Sequence, residues 1–130
     1  MTTDSIFDFP AAIAAHAAAR PDHTAVICGT VRLSWAQYGQ RVTQLAATLA
    51  AHGTGPGDSV AAIAASSVDY AVLWGAVLAC RACMAPMAPS STPEQIAAMV
   101  GDSGARLVFV DAANRAAFGP VLAAHTLVDL

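Results

Sequence analysis

The sequence predicts an α/β fold: a mostly parallel sheet with helices on both faces, plus a small antiparallel hairpin. Three observations predict it. First, Gly57–Pro89 is nearly uncharged, with only Asp69 and Arg81 ionised between Asp58 and Glu94. Second, this stretch divides into an apolar run (Val60–Ala65), a helix start (Ser66-Ser67), an apolar helix (Val68–Cys80) and a second short run (Cys83–Met87). Apolar runs without alternation suit parallel strands covered on both faces, so it reads as a β-α-β unit with both strands buried. Third, strand and helix patterns keep alternating to the last residue, as in a parallel sheet with right-handed crossovers.

Each element has a local reason. Asp8 or Phe9 caps a first alanine-rich helix, with Pro10 in its first turn and Arg20-Pro21 as its stop. TAVIC and VRLS flank Gly29-Thr30 and read as a tight, peripheral hairpin. Ser34 caps a second helix, whose Trp35, Tyr38, Val42, Leu45 and Leu49 form one apolar stripe. Gly53 ends it, and GTGPGD turns the chain into the central unit. The helix of that unit is apolar nearly all round, so it should be buried, with Trp74 in the core like Trp35. SSTPEQ then starts a helix with Ile96, Met99 and Val100 pointing inward, and Asp102-Ser103-Gly104 stops it. RLVFV is a third buried strand, Asp111 caps a further helix that Gly119-Pro120 interrupts, and TLVDL is a fourth strand.

Length and composition bound the function. The 130 residues make one domain-sized unit, able to bury roughly 65–70% of its unfolded surface. Hydrophobic residues make up 56% and charged residues 12%, the latter about half the usual share. Mean hydropathy is +0.54. So little charge leaves apolar surface uncovered, which suggests packing against further protein and self-association of the isolated piece. The net charge of −3, with no Lys at all, argues against nucleic acid. The longest apolar run, Tyr70–Cys80, has 11 residues, short of the roughly 20 of a membrane span. MTTDSIFDFP lacks the plan of a signal peptide, and three cysteines suit a reducing compartment, so a cytoplasmic location is expected.

No residue stands out as catalytic, cofactor-binding or metal-ligating. Cys80-x-x-Cys83 sits at a helix C-terminus leading into a strand, whereas a redox dithiol uses a helix N-terminus. GTGPGD precedes a strand, whereas phosphate-cradling glycines follow one. Ser66-Ser67 does lie at a strand's carboxyl end, where open α/β sheets bind ligands; its two hydroxyls suit a ligand, and helix capping explains them as well. His16, His23, His52 and His125 are scattered, and Asp8, Asp58, Asp102 and Asp111 mark element boundaries.

The order of motifs carries more than any one of them. LSW-x2-Y at Leu33–Tyr38, G-x-G-P-G-D-x-V at Gly53–Val60, Pro-x-x-Pro with T-x-E-x-I through Pro86–Ile96, and D-S-G-A-R at Asp102–Arg106 follow one another. The series resembles the N-terminal part of the adenylate-forming superfamily, which holds acyl-CoA synthetases, peptide-synthetase adenylation domains and luciferases. The resemblance implies that residues 1–130 are a single N-terminal α/β subdomain of a larger ligase. The parent would activate a carboxylic acid with ATP and Mg2+ and pass the acyl group to a thiol such as that of CoA, as in fatty acid metabolism. The family's phosphate-loop and C-terminal lysines fall later in its members, and this chain has no Lys. The isolated chain is therefore expected to be structural and inactive, to bind no cofactor, and to have the remainder of the parent chain as its partner. A chain ending on a strand without a closing helix fits such a piece. Where the family usually has Gly before Ala, this sequence has Arg81. A glycine there often takes positive φ, so the expectation is either a strained Arg81 or a different turn.

Overall fold

A computed structural model of the chain describes residues 7–130. The first six residues of the segment weighed against a signal peptide lie outside that range.

The elements run α1 (Phe9–Ala19), β1 (Thr24–Cys28), β2 (Val31–Ser34), α2 (Trp35–Ala51), β3 (Ser59–Ile63), α3 (Val68–Ala79), β4 (Cys83–Pro86), α4 (Pro93–Ser103), β5 (Leu107–Val110), α5 (Ala112–Phe118) and β6 (Thr126–Asp129). A 3-10 turn, Gly119–Leu122, follows α5, where Gly119-Pro120 breaks the α-helical ladder. β1 and β2 pair antiparallel, with Gly29 at φ 59° in their turn. The other four strands are parallel in the order β4-β3-β5-β6.

Helix starts follow the caps in the sequence. Ser34 and Thr92 form reciprocal capping boxes with Gln37 and Gln95. Asp8, Ser67 and Asp111 each accept one first-turn N–H. These satisfy donors that a helix N-terminus otherwise leaves free.

Alternation along the strands divides the core. Val60, Ala62, Met84 and Phe109 meet Leu49, Leu73, Ala76 and Val77 of α2 and α3 on one face. Ala61, Ile63, Val108 and Val110 meet Ile96, Val100, Phe118 and Leu122 on the other. The hairpin and α1 form an outer layer, with Ile13, Leu33, Tyr38, Val42, Val68 and Val72 as its buried centre. Among the described residues no helix is long and apolar enough to cross a membrane.

Three expectations are corrected. β4 is an edge strand, with Cys83 and Pro86 exposed. Pro86 is tolerated there because an edge needs no N–H on its outer side. Trp74 is 37% and Met99 36% exposed. Each sits on the outward side of a helix whose inner side already touches the sheet. Trp35 is only half-buried, stacked on His16 with centroids 4.6 Å apart.

Candidate functional site

Parallel strands place their carboxyl ends on one rim. The chain passes from β3 to β4 on one side, then from β4 back across to β5 on the other. The switch point of this sheet therefore lies between β3 and β5, the place where open α/β sheets leave a crevice for ligands.

Asp111 bridges that point. Its Oδ2 accepts the Ala65 N–H at 2.9 Å, and its Oδ1 accepts the Asn114 main-chain N–H at 2.9 Å and the Asn114 side-chain amide at 2.8 Å. One carboxylate thus caps α5 and ties down the β3–α3 connection, 46 residues earlier. The Ala65 N–H first, and the Asn114 N–H second, hold the Asp111 carboxyl below its ordinary range. Capping alone was legible in the sequence. The reach to Ala65 had no sequence signal.

Beside this rim, an open depression of about 450 Å³ lies between β1 and the start of α3, lined by Ile27, Cys28, Ser66, Ser67, Tyr70 and Trp74 among others. Ser67 Oγ accepts the Tyr70 N–H at 3.0 Å, so its hydroxyl serves the cap. Cys28 Sγ donates to the Ser66 carbonyl at 3.4 Å. Burial pushes the Tyr70 hydroxyl pKa up.

In the two other tempting motifs the polar side chains bond nearby main-chain groups. Cys80 Sγ donates to the Ala46 carbonyl of α2 at 3.3 Å, and burial pushes its pKa up. Cys83 Sγ turns to the Met84 carbonyl. The two thiols thus point to different partners. In GTGPGD, Asp58 Oδ2 accepts the Gly55 N–H at 2.8 Å and Asp58 N–H donates to the Gly55 carbonyl at 3.1 Å, which closes a turn. His52 and His125 rings bond the carbonyls of Thr48 and Ala105. Among the described residues no three His, Cys, Asp or Glu side chains converge on a metal-sized site. The lining of the depression carries no charged side chain to meet a triphosphate or Mg2+, and no chemical step is assigned to it.

A doubly wound α/β scaffold, with a flanking hairpin and a rim that its own carboxylate closes, is thus the class of structure present. The chain matches the model of the AMP-binding enzyme family over residues 13–129, and it belongs to that family. It is 33% identical over 118 residues to the isonitrile lipopeptide synthase of Mycobacterium tuberculosis, covering 91% of this chain and 4% of that protein. It is 33% identical over 97 residues to a Humulus lupulus protein described as a CoA ligase, covering 71% of this chain and 18% of that protein. Its fold superposes with a TM-score of 0.90 and 26% identity on a Rhodopseudomonas palustris chain described as a long-chain-fatty-acid CoA ligase, covering 97% of this chain and 33% of that one. The N-terminal domain of FACL13 from Mycobacterium tuberculosis shares the fold at a TM-score of 0.86. The chain thus spans a minor share of the relatives it matches and corresponds to an N-terminal part of adenylate-forming ligases.

Proposed function

We propose that this chain is the N-terminal scaffold of an acyl-CoA synthetase. The parent would join a carboxylic acid to ATP as an acyl-adenylate and then transfer the acyl group to CoA. The observation that carries this reading is the near-complete superposition on a chain described as a fatty-acid CoA ligase, together with the family match over residues 13–129. ATP, Mg2+, CoA and the acid would be held by other parts of the parent. The 130 residues supply the β-α-β platform and no reacting group.

A second reading has its own support: peptide synthetases also match, including the isonitrile lipopeptide synthase and surfactin synthase subunit 2 of Bacillus subtilis at 32% identity over 119 residues. In that reading the parent is an adenylation domain and the acceptor is a carrier-protein thiol.

The protein encoded by the full reading frame separates them. Carboxylate-dependent exchange of pyrophosphate into ATP, followed by a thioester on free CoA, supports the first reading. Exchange with transfer only to a carrier-protein thiol supports the second. A frame that stops at Leu130 and yields a stable, inactive oligomer overturns both in favour of a stand-alone scaffold.

We also propose that the isolated chain self-associates in a reducing, cytoplasmic setting. A groove of about 260 Å³ between α2 and the β5–β6 end of the sheet is lined by Leu45, Leu49, Phe109 and Val128. It runs beside β6, whose outer edge is unpaired within the described sheet, and such an edge offers hydrogen bonds to another strand.

A further inference from the structure

We infer that α1 is a strap, fastened at its two ends, that opens as one unit while the sheet and α2–α5 stay folded. Its sequence, FPAAIAAHAAA, buries a single side chain, Ile13. Phe9 is 40% exposed, and the rest is mostly alanine. Beside it runs an open groove of about 530 Å³ between α1 and α2, bordered by Ile13, Ala14, Ala17, Gly39, Val42 and Ala46 among others. A helix of 11 residues is marginal on its own in water, so its order depends on what it docks against. Here the docked face is small: Ile13 is the buried side chain of α1, and Ala17 packs close against Gly39.

The fastenings are at the ends. At the N-terminal end, Arg81 Nη2 meets Asp8 Oδ2 at 3.0 Å, joining the cap of α1 to the turn after α3. At the C-terminal end, His16 stacks on Trp35. Just beyond, the chain is pinned independently of α1: Trp35 N–H donates to the His23 carbonyl at 2.9 Å and Ala36 N–H to the Pro21 carbonyl at 3.0 Å. Those bonds hold residues 21–23 against the start of α2 and leave Arg20, at φ −143° and ψ 61°, as the hinge. Opening would uncover Val42, Ala46 and Ala79 without breaking a strand. A small docked face with a fixed hinge is how a local unit opens below the global stability.

Hydrogen exchange of the 130-residue chain tests this. Amides of residues 12–20 should exchange at least about tenfold faster than those of residues 42–49 in α2. Asp8→Ser keeps a cap acceptor and removes the ion pair. It should speed exchange in residues 12–20 by at least about threefold and leave β3 and β5 unchanged, and 0.5 M salt on the unaltered chain should act in the same direction by screening the pair. Exchange of α1 in step with α2 would overturn the inference. So would an Asp8→Ser effect spread evenly over all elements.

Discussion

Arg81 holds the same left-handed backbone after α3 that Gly53 holds after α2, at φ 60° and 90° respectively. The two turns are bonded alike. Gly53 and Thr54 N–H groups donate to the Ala50 and Leu49 carbonyls, and Arg81 and Ala82 N–H groups donate to those of Leu78 and Val77. Both are Schellman motifs, for which glycine is the low-cost residue. An L-residue in this region is disfavoured by roughly 1–2 kcal/mol, and glycine returns part of that gain as unfolded-state entropy.

Arg81→Gly should therefore stabilise the fold by about 0.5–1 kcal/mol in urea unfolding, with an unchanged slope. Arg81→Ala keeps the strain and should give no gain. The converse change, Gly53→Ala, should cost about 1 kcal/mol. An alanine Cβ there would approach only the Arg106 guanidinium, at 3.7 Å, so the cost is conformational. Equal stability of Arg81→Gly and Arg81→Ala would remove this account of the turn.

Gly75 should behave oppositely to its helix propensity. It lies mid-helix in α3, where alanine would ordinarily gain about 1 kcal/mol. A Cβ there would stand 2.7 Å from Val42 Cγ2 and 3.0 Å from Tyr38 Oη. Tyr38 is pinned, because its hydroxyl donates to the Ala71 carbonyl at 2.8 Å. Overpacking of about 1–3 kcal/mol wins over propensity, and Gly75→Ala should lower the denaturation midpoint. A raised midpoint would show that α2 and α3 separate freely.

Asp111 should give the fold a pH dependence. Its ordinary pKa is 3.8 and its folded value is lower. The carboxylate therefore adds stability that is fully present above that ordinary value and is lost as pH falls through the folded value. Asp111→Asn removes this contribution. The stability gap between the two proteins should be constant above about pH 5 and should close as the carboxyl protonates below about pH 4. A gap independent of pH would mean that the bridge to Ala65 does not depend on charge.

Val128→Lys should weaken self-association. Val128 lines the groove beside the open edge of β6, and an edge lysine opposes further pairing. Sedimentation at matched concentration should show a shift toward monomer. A chain that is already monomeric at high concentration would contradict the proposal.

Much of the fold was legible because its signals are local. Caps at Ser34, Ser67, Thr92 and Asp111 and the glycine turn at Gly53 lie within a few residues of what they control. The positive φ at Arg81 was legible only through the family resemblance, which places a glycine at that helix end. Lateral order was less accessible. Apolar content marked Cys83–Met87 as a strand and could not mark it as an edge, since edge or centre depends on which strand pairs outside it. Trp74 looked like core because an apolar helix shows no outward face in sequence. The Asp111–Ala65 and Asp8–Arg81 contacts join residues 46 and 73 positions apart, and no local pattern encodes either.

We propose that this chain is scaffold for an adenylate-forming ligase whose nucleotide is held by other parts of the parent. Calorimetric titration of the 130-residue chain with ATP and Mg2+ tests it most directly. The account predicts no saturable heat up to millimolar nucleotide. Stoichiometric, saturable binding of ATP would contradict it.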